Sequence, residues 1–412
     1  MNHNTASALV KKLIVHLEED IMPYWMSPAM LGCPIGNFPT FATQTAVPFY
    51  GALNYARMQG RATYAYLAAY EITNKVEYRD VGLRGMSWLE RLKRPGGGYY
   101  PITDYKGTPY NVPVSVQDLS YIGLPLSIAY SITGDQGYLD DLWSLIDFIL
   151  AEKFFRNGRL VVDALSPDYS STVFFEGAGT NIVSLLDFLN ALYLPALEVS
   201  PNSMRTEQRV LLLQKLVGNL VDDFYSDGIF WNERGNRNII YIKHVDFGHT
   251  AKAYGVLYNA NRFLKMLGVE SANFEHMIER FSSLVKISSD ENVGWRTDFE
   301  DTGRLSVRAG LQWWRHIVID QVVSLYANIN IELEKYLGIG IETWFSLDYI
   351  DKTRPCRGIR QFLSATGVCD DNFDYSTCKA NEWKSAYHEV DHVRRLTNYF
   401  DKFSIKGKEV SL

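Results

Sequence analysis

The chain has 412 residues, 47% of them hydrophobic and 14% aromatic, with 26 tyrosines and 9 tryptophans. That is enough apolar material for two or three domains or for one large closed architecture, and the aromatic excess suits walls against flat or sugar-like ligands as well as packing. A formal charge of −6 and a pI near 5.8 argue against a nucleic-acid partner, which calls for a basic balance. No run of about 18 apolar residues stands out, so no membrane span is expected.

Cys33, Cys356, Cys369 and Cys378 contain no C-x-x-C pair, which argues against a zinc cluster. Cys369 and Cys378 are close enough to bridge a loop, but free thiols in a reducing compartment are the simpler reading. The opening MNHNTASALVKKLIVHLEED is amphipathic and soon charged, unlike a signal peptide, so cytoplasm is the default location.

In chain order, Thr5–Asp20 reads as a helix with Leu9, Leu13 and Leu17 on one side, ended by Pro23. The Pro/Gly-rich stretch that follows reads as a loop. Met58, Ala62, Ala65, Ala69 and Ile72 mark the next helix, and Asp80–Arg91 its partner. PGGGYYPITDYKGTPYNVP is a long loop; no Gly-Lys-Ser/Thr follows its glycines, so it is not a phosphate loop. Helical patterning covers Val116–Thr133, breaks at Gly134-Asp135, and resumes over Tyr138–Phe155. After a second loop, Thr180 or Asn181 can cap a helix carrying Ile182, Leu185, Leu186, Leu189 and Leu192. Met204–Phe224 is helical, and GIFWNERGNRNIIYIKHV reads as extended chain at a mouth.

Asp246 can cap a further helix, whose apolar face runs His249, Ala253, Val256, Ala260, Phe263, Leu267. Helices follow at Phe274–Ser288, Arg308–Ala327 and about Glu332–Leu347. Asp348–Glu382 is long and irregular, and loops of that length are usually functional. Ala386, Val390, Val393, Leu396 and Phe400 mark the last helix, and residues 404–412 read as a loose tail. The pattern is all-α: paired helices without βαβ alternation, in one domain spanning 1–412. A ring of helical hairpins around a cavity fits the count, and an irregular bundle fits nearly as well.

Four stretches hold candidates for chemistry. Arg61 either snorkels from an apolar stripe or faces a cavity to hold oxygens. In WWRH, Trp313–His316, two adjacent tryptophans cannot share a helix face, so one packs and the other lines a cavity or a neighbour. His388 falls off the last helix's apolar stripe, in its first turn or the loop before, where a mouth residue would sit; His392, one turn later, reads as solvated. His249 lies at one end of a face that is otherwise buried. A lone histidine there is ordinarily a core residue, but two imidazoles can give and take a proton near neutral pH. The His388-x-x-x-His392 spacing is weak as a metal signal. No G-x-S-x-G is present, and Asp118, Glu176, Asp246 and Asp320 are candidates for carboxylate catalysis.

Together these stretches resemble the N-acylglucosamine 2-epimerase superfamily, which includes cellobiose 2-epimerases and aldose–ketose isomerases. The resemblance is carried, in order, by IMPYW with GNF, QGRATYAYLAAYEIT, DLSYIGLPLSIAYSITGD, FGHTAKA, LQWWRHI and WKSAYHEV, from about residue 15 to 400. It implies an (α/α)6 barrel with a central site and no metal or redox cofactor. It also implies a small carbohydrate-like substrate whose C2 proton passes between two histidines, matched by His249 and His388. Arg61 matches the arginine that holds sugar oxygens, and Trp314 and His316 match pocket-lining positions. No nucleic acid or membrane partner is implied, and a homodimer is compatible.

Four departures from the family pattern stand out. The family's Glu three residues after the Gly-His histidine is Lys252, the Glu after the Trp-Trp pair is Val318, and a Tyr is Gln117. Asn181 keeps an Asn near TNIVSLLD without the accompanying His. An acid that orients an imidazole is thus exchanged for a base. A cation there is expected to lower the pKa of His249 and to suit an anionic substrate. The expectation is a sugar 2-epimerase or aldose–ketose isomerase. The alternatives are a barrel glycosidase or lyase using carboxylates, and a non-catalytic carbohydrate binder.

Overall fold

The structure, a computed structural model, describes residues 3–49, 51–151, 154–173, 180–201, 206–232, 245–269, 275–301, 304–308, 310–354, 356–369 and 379–409. Beyond residue 402 only the backbone is described. The helices are α1 (His3–His16), α2 (Met22–Trp25), α3 (Ala56–Thr73), α4 (Val76–Glu90), α5 (Val116–Thr133), α6 (Gln136–Ala151), α7 (Ile182–Asp187), α8 (Leu194–Val199), α9 (Thr206–Phe224), α10 (Phe247–Met266), α11 (Glu275–Ser288), α12 (Trp313–Ala327), α13 (Glu334–Ser346) and α14 (Tyr387–Glu409).

Helices α3, α5, α7, α10, α12 and α14 each pack on the next, and α14 packs back on α3, which closes a ring. Outside it, α4 packs on α3, α6 on α5, α9 on α7 and α10, α11 on α10, α13 on α12, and α1 on α14. This is the expected (α/α)6 barrel, with the first helix covering the last. The inner helices are buried on nearly every side, as helices with neighbours all round must be. Close approach in the ring is set by residue size. A Cβ on Gly60 of α3 would lie 1.9 Å from the Tyr121 carbonyl oxygen of α5, so only glycine lets the two backbones meet there.

Caps fix where the inner helices begin. Ser115 and Asp118 form a reciprocal capping box on α5, Asn181 accepts from Val183 N–H at the start of α7, and Asp246 accepts from His249 N–H at the start of α10. Short antiparallel pairs lie just ahead of three inner helices. Asn54–Tyr55 pairs with Ile102–Thr103, Val114–Ser115 with Ala164–Leu165, and Leu311–Gln312 with Phe362–Leu363. The last pair ties the irregular 348–382 segment to the barrel rim.

Several expectations need correction. Pro23 does not end the first helix: a π-helical turn, Leu17–Ile21, follows α1, and Pro23 sits in the first turn of α2, where its missing N–H is not needed. Ile182–Val199 is, by length and mean hydropathy, apolar enough to cross a membrane, contrary to the expectation from sequence. It is 78% buried inside the barrel wall and is interrupted by a π-helical stretch, Phe188–Tyr193. The last helix continues to Glu409, over part of the expected loose tail. In the stretch expected to be extended, Tyr225–Ser226 pairs with Ile229–Phe230; 233–244 lie outside the described residues, as do Glu176 and Cys378. Cys33 and Cys356 are free thiols.

Candidate active site

Each inner helix sends side chains into one cavity of about 620 Å³ from its first two turns. These are Arg61 from α3, Gln117 and Tyr121 from α5, Val183 and Asp187 from α7, His249 and Lys252 from α10, Trp313 to Arg315 and Val318 from α12, and His388 from α14. The volume is typical of a small-molecule site. Asp298, Phe299 and Arg308 add to the wall, as do Trp383 and, from the irregular segment, Gln361 and Phe362, which makes that segment part of the site.

His249 is buried, and its ring lies 4.6 Å from Trp314 between centroids. Its Nδ1 is 2.7 Å from Asp246 Oδ2, while Asp246 Oδ1 accepts from the His249 backbone N–H at 3.0 Å. Burial alone would raise the Asp246 pKa; Arg315, 3.4 Å away, and His249 outweigh it and hold the carboxyl well below its usual range. An ionised carboxylate only accepts, so Nδ1 must carry the hydrogen and Nε2 is left for other partners. Arg315 is in turn held by Asp298 at 2.7 Å. The acid that orients this imidazole is thus Asp246, which in the sequence stood out as a helix cap and as one of four candidate carboxylates.

His388 enters from the first turn of α14. Its ring lies 6.2 Å from Trp314, 5.9 Å from Trp313 and 4.7 Å from Tyr387. Burial, and then the charges of Arg61, Lys252, Lys384 and His249, push its pKa well below the usual imidazole value. It is neutral at physiological pH and able to accept a proton.

Lys252 does not serve as a bare cation beside His249. Its ammonium pairs with Asp187, which is fully buried and also accepts from Gln117 Nε2 and the Tyr121 hydroxyl at 2.8 Å each. Burial pushes the Asp187 pKa up, but Lys252, Arg61 and Gln117 hold it below the usual carboxylate range. Burial pushes the Lys252 pKa down, and Asp187 reverses that and raises it. The guanidinium of Arg61 stacks 3.6 Å above the Tyr121 ring and donates to the Trp383 carbonyl at 3.1 Å. This is the cavity-facing reading of Arg61, not the snorkelling one.

Of the residues singled out in sequence, Arg61, Gln117, His249, Lys252, Trp314 and His388 meet in the cavity. Two do not. His316 is 2% exposed and its Nε2 donates to the Gly340 carbonyl at 2.8 Å, beside Trp344 and Tyr349. Asn181 caps α7. His392 is not solvated: it is 1% exposed, 3.0 Å from Asp320 Oδ2 and edge-on to Trp344. It therefore shares no metal site with His388. Asp320 is a core residue bound by Trp295, and Asp118 pairs with Arg57.

Sequence reading missed Asp187, Asp298, Arg308, Arg315, Gln361 and Trp383. The signal for Asp187 was available, since a lone acid between Leu186 and Phe188 in an apolar run needs a buried partner.

No sequence-family model matches the chain, and no curated protein matches it in sequence. Solved structures do match in fold. The cellobiose 2-epimerase of Spirochaeta thermophila superposes with a TM-score of 0.81 at 14% identity, covering 97% of this chain and 98% of that one. The cellobiose 2-epimerase of Bacillus thermoamylovorans gives 0.80 at 17%, with 95% and 99% covered. A D-mannose isomerase gives 0.77 at 17%, with 94% and 97% covered. The motif resemblance read from the sequence thus extends to the whole architecture, and the chain has the (α/α)6-barrel fold of these sugar epimerases and isomerases.

Proposed function

We propose that the protein is a carbohydrate isomerase, a 2-epimerase or aldose–ketose isomerase, that moves the C2 proton of an open-chain sugar. The observation that carries this reading is that His249 and His388, 139 positions apart in the sequence, reach one cavity and flank the same Trp314 ring. Neutral His388 takes the proton from C2. The C–H electron pair moves into a C1–C2 double bond, and the aldehyde oxygen becomes an enediolate oxygen. His249, fixed by Asp246 and carrying a hydrogen on Nε2 as well as on Nδ1, returns a proton: at C2 from the opposite side for epimerisation, which restores the C1 aldehyde, or at C1 for isomerisation, in which the O2 hydrogen passes to O1 and C2 becomes the carbonyl. Arg61 and the N-terminal ends of the surrounding inner helices favour the developing negative charge. Trp313 and Trp314 offer ring faces for the sugar's C–H surface.

The carboxylate alternative fares worse. A glycosidase needs a carboxyl that holds its proton near neutral pH. Among the described cavity residues, Asp187 pairs with Lys252, and Asp246 and Asp298 share Arg315. Asp187 and Asp246 are both held ionised by these neighbours.

The test is solvent deuterium incorporation at C2 of D-mannose, D-glucose and cellobiose, followed by NMR. Exchange is expected with the intact protein and lost in His388→Ala. His249→Ala keeps some exchange but loses the product of inversion. Full exchange in both single variants would overturn the two-histidine assignment.

A further inference from the structure

A second, smaller cavity lies deeper along the barrel axis, behind the site. It has a volume of about 30 Å³, and Lys252, Val318 and His388 line both it and the main cavity. Those three side chains are therefore the wall between the two. The rest of its lining comes from later turns of the inner helices and is largely polar. Asn190, Asn259, Gln321, Asp391 and Arg395 face it, together with Gly255, Val322, Leu325 and Tyr387. Asn190, Asn259, Leu325 and Arg395 are partly exposed, whereas Gln321, Tyr387 and Asp391 are buried. The lining thus runs from a buried end at His388 to a solvent-touching end. A polar space of this size has room for about two waters with partners to hold them.

The proposed isomerase chemistry gives such a space a use, and its role depends on that reading of the site. After a two-base inversion the enzyme is left in the reverse protonation state, with His388 carrying the sugar's proton and His249 lacking one. His388 must shed its proton before the next forward turnover. On the cavity side Arg61 and Lys252 are cations that do not accept a proton, His249 lies across the bound sugar, and an enediolate that takes the proton back returns it to C2 instead of releasing it. Lys384, the other nearby cation, pairs with Glu389 and sits 4.6 Å above the Trp313 ring. Arg395 and Asp391 are paired with each other at 2.7 Å, and Asp391 also accepts from Gln321 at 3.1 Å and from the Tyr64 hydroxyl at 2.7 Å. Among the described residues no hydrogen bond or ion pair joins a carboxylate to His388. Water on its far side is the remaining acceptor.

We infer that the rear cavity is a water path through which His388 exchanges its proton with solvent at the base of the barrel while a sugar fills the mouth. Val318 makes the arrangement workable: its short apolar side chain separates substrate from the rear water and leaves the imidazole as the bridge. The proton moves from His388 to a rear water as hydronium and out to solvent, and no co-reactant is required.

The experiment uses Asn190→Leu/Asn259→Leu, which makes the solvent end apolar without touching the main cavity, and Leu325→Trp, which narrows the same end from α12. D-Mannose and cellobiose deuterated at C2 of the reducing unit are turned over in H2O. The deuterium retained in recovered sugar, to which His388 returns the proton it took, is compared with the amount converted. The intact protein is expected to wash the label out, and both variants to retain several-fold more of it at unchanged KM. Equal wash-out in all three would overturn the inference. Failure of all these sugars to react would count against the isomerase reading instead. The rear path is then decided by a high-resolution crystal structure. Ordered water within hydrogen-bonding distance of His388 on the Asn259 side, lost in the double variant, supports it, and a dry rear cavity in the intact protein overturns it.

Discussion

Lys252→Met is the most informative single perturbation of the site, because it removes the one ammonium bonded to a carboxylate with no solvent exposure. Asp187 would keep two neutral donors, Gln117 and Tyr121, and the more distant charge of Arg61. Breaking a buried pair from one side typically costs about 3–5 kcal/mol, because the remaining charge is stranded. Lys252→Met/Asp187→Asn removes that charge and keeps a carbonyl for one of the two donors. It should therefore be more stable than the single variant. Equilibrium urea unfolding at several pH values reads both effects. In the intact protein the Asp187 pKa is depressed, so the pair contributes stability above the unfolded carboxylate value of about 3.9, and this is lost as pH falls through the lower folded value. In the single variant the upward push of burial prevails, so the loss is largest near neutrality and shrinks as pH falls and Asp187 takes a proton. A single variant no less stable than the double, with a loss that does not change with pH, would refute the assignment of Lys252 to charge neutralisation.

Asp246→Asn should lower kcat by up to about 10⁴-fold, the scale seen when a histidine loses its orienting carboxylate in a serine-protease triad, with KM changing far less; steady-state kinetics on a sugar that shows C2 exchange would check it. Because His388 is held neutral, the acid limb of C2 exchange should lie well below pH 6.5, and Arg61→Gln, by removing one of the cations responsible, should move that limb to higher pH as well as weaken binding. His316→Phe should cost about 1–3 kcal/mol in urea unfolding by stranding the Gly340 carbonyl, and leave kcat and KM unchanged. Burial lowers the His316 pKa, so the intact protein loses stability as pH falls below the unfolded value of about 6.5, and the variant should lose less over that window.

Local patterns carried most of the secondary structure. Val116–Thr133 reads directly from periodicity and a Gly-Asp stop, and α10 from a cap followed by a four-three stripe. The π-helical turns at Leu17–Ile21 and Phe188–Tyr193 left no comparable trace, because one extra residue per turn only blurs a stripe. Ring closure was equally invisible, since contact between α14 and α3 joins stretches far apart in the sequence. For the site, periodicity tells which side of an inner helix faces inward but not how deep each residue lies. His388 and His392 are one turn apart on α14, yet the first meets the cavity and the second meets Asp320 in the core. Trp314 and His316 are two positions apart on α12 and point to different surroundings, which short motifs cannot separate. Asp246 was visible as a cap, but its second oxygen's contact with the imidazole depends on the rotamer that Arg315 imposes.

Side-chain direction, as well as depth along the inner helices, therefore divides the labour of the chain. The first two turns supply every helical side chain of the main cavity, and there charged groups are held in pairs: Lys252 with Asp187, Arg315 with Asp246 and Asp298. Other side chains of the same helices, His316 and His392 among them, join Trp295 in a packed core around Asp320. The pairing in the upper turns leaves the two imidazoles in unlike surroundings. His249 is fixed by a carboxylate that its neighbours keep ionised, whereas His388 is kept neutral by burial and surrounding cations. A proton shuttle needs that asymmetry, because two identical histidines would compete for one proton instead of passing it on. In this chain a lysine stands where the resemblance expects an acid, yet the asymmetry survives. Asp187 cancels most of the lysine's charge, and Asp246, on the preceding turn of α10, orients the imidazole.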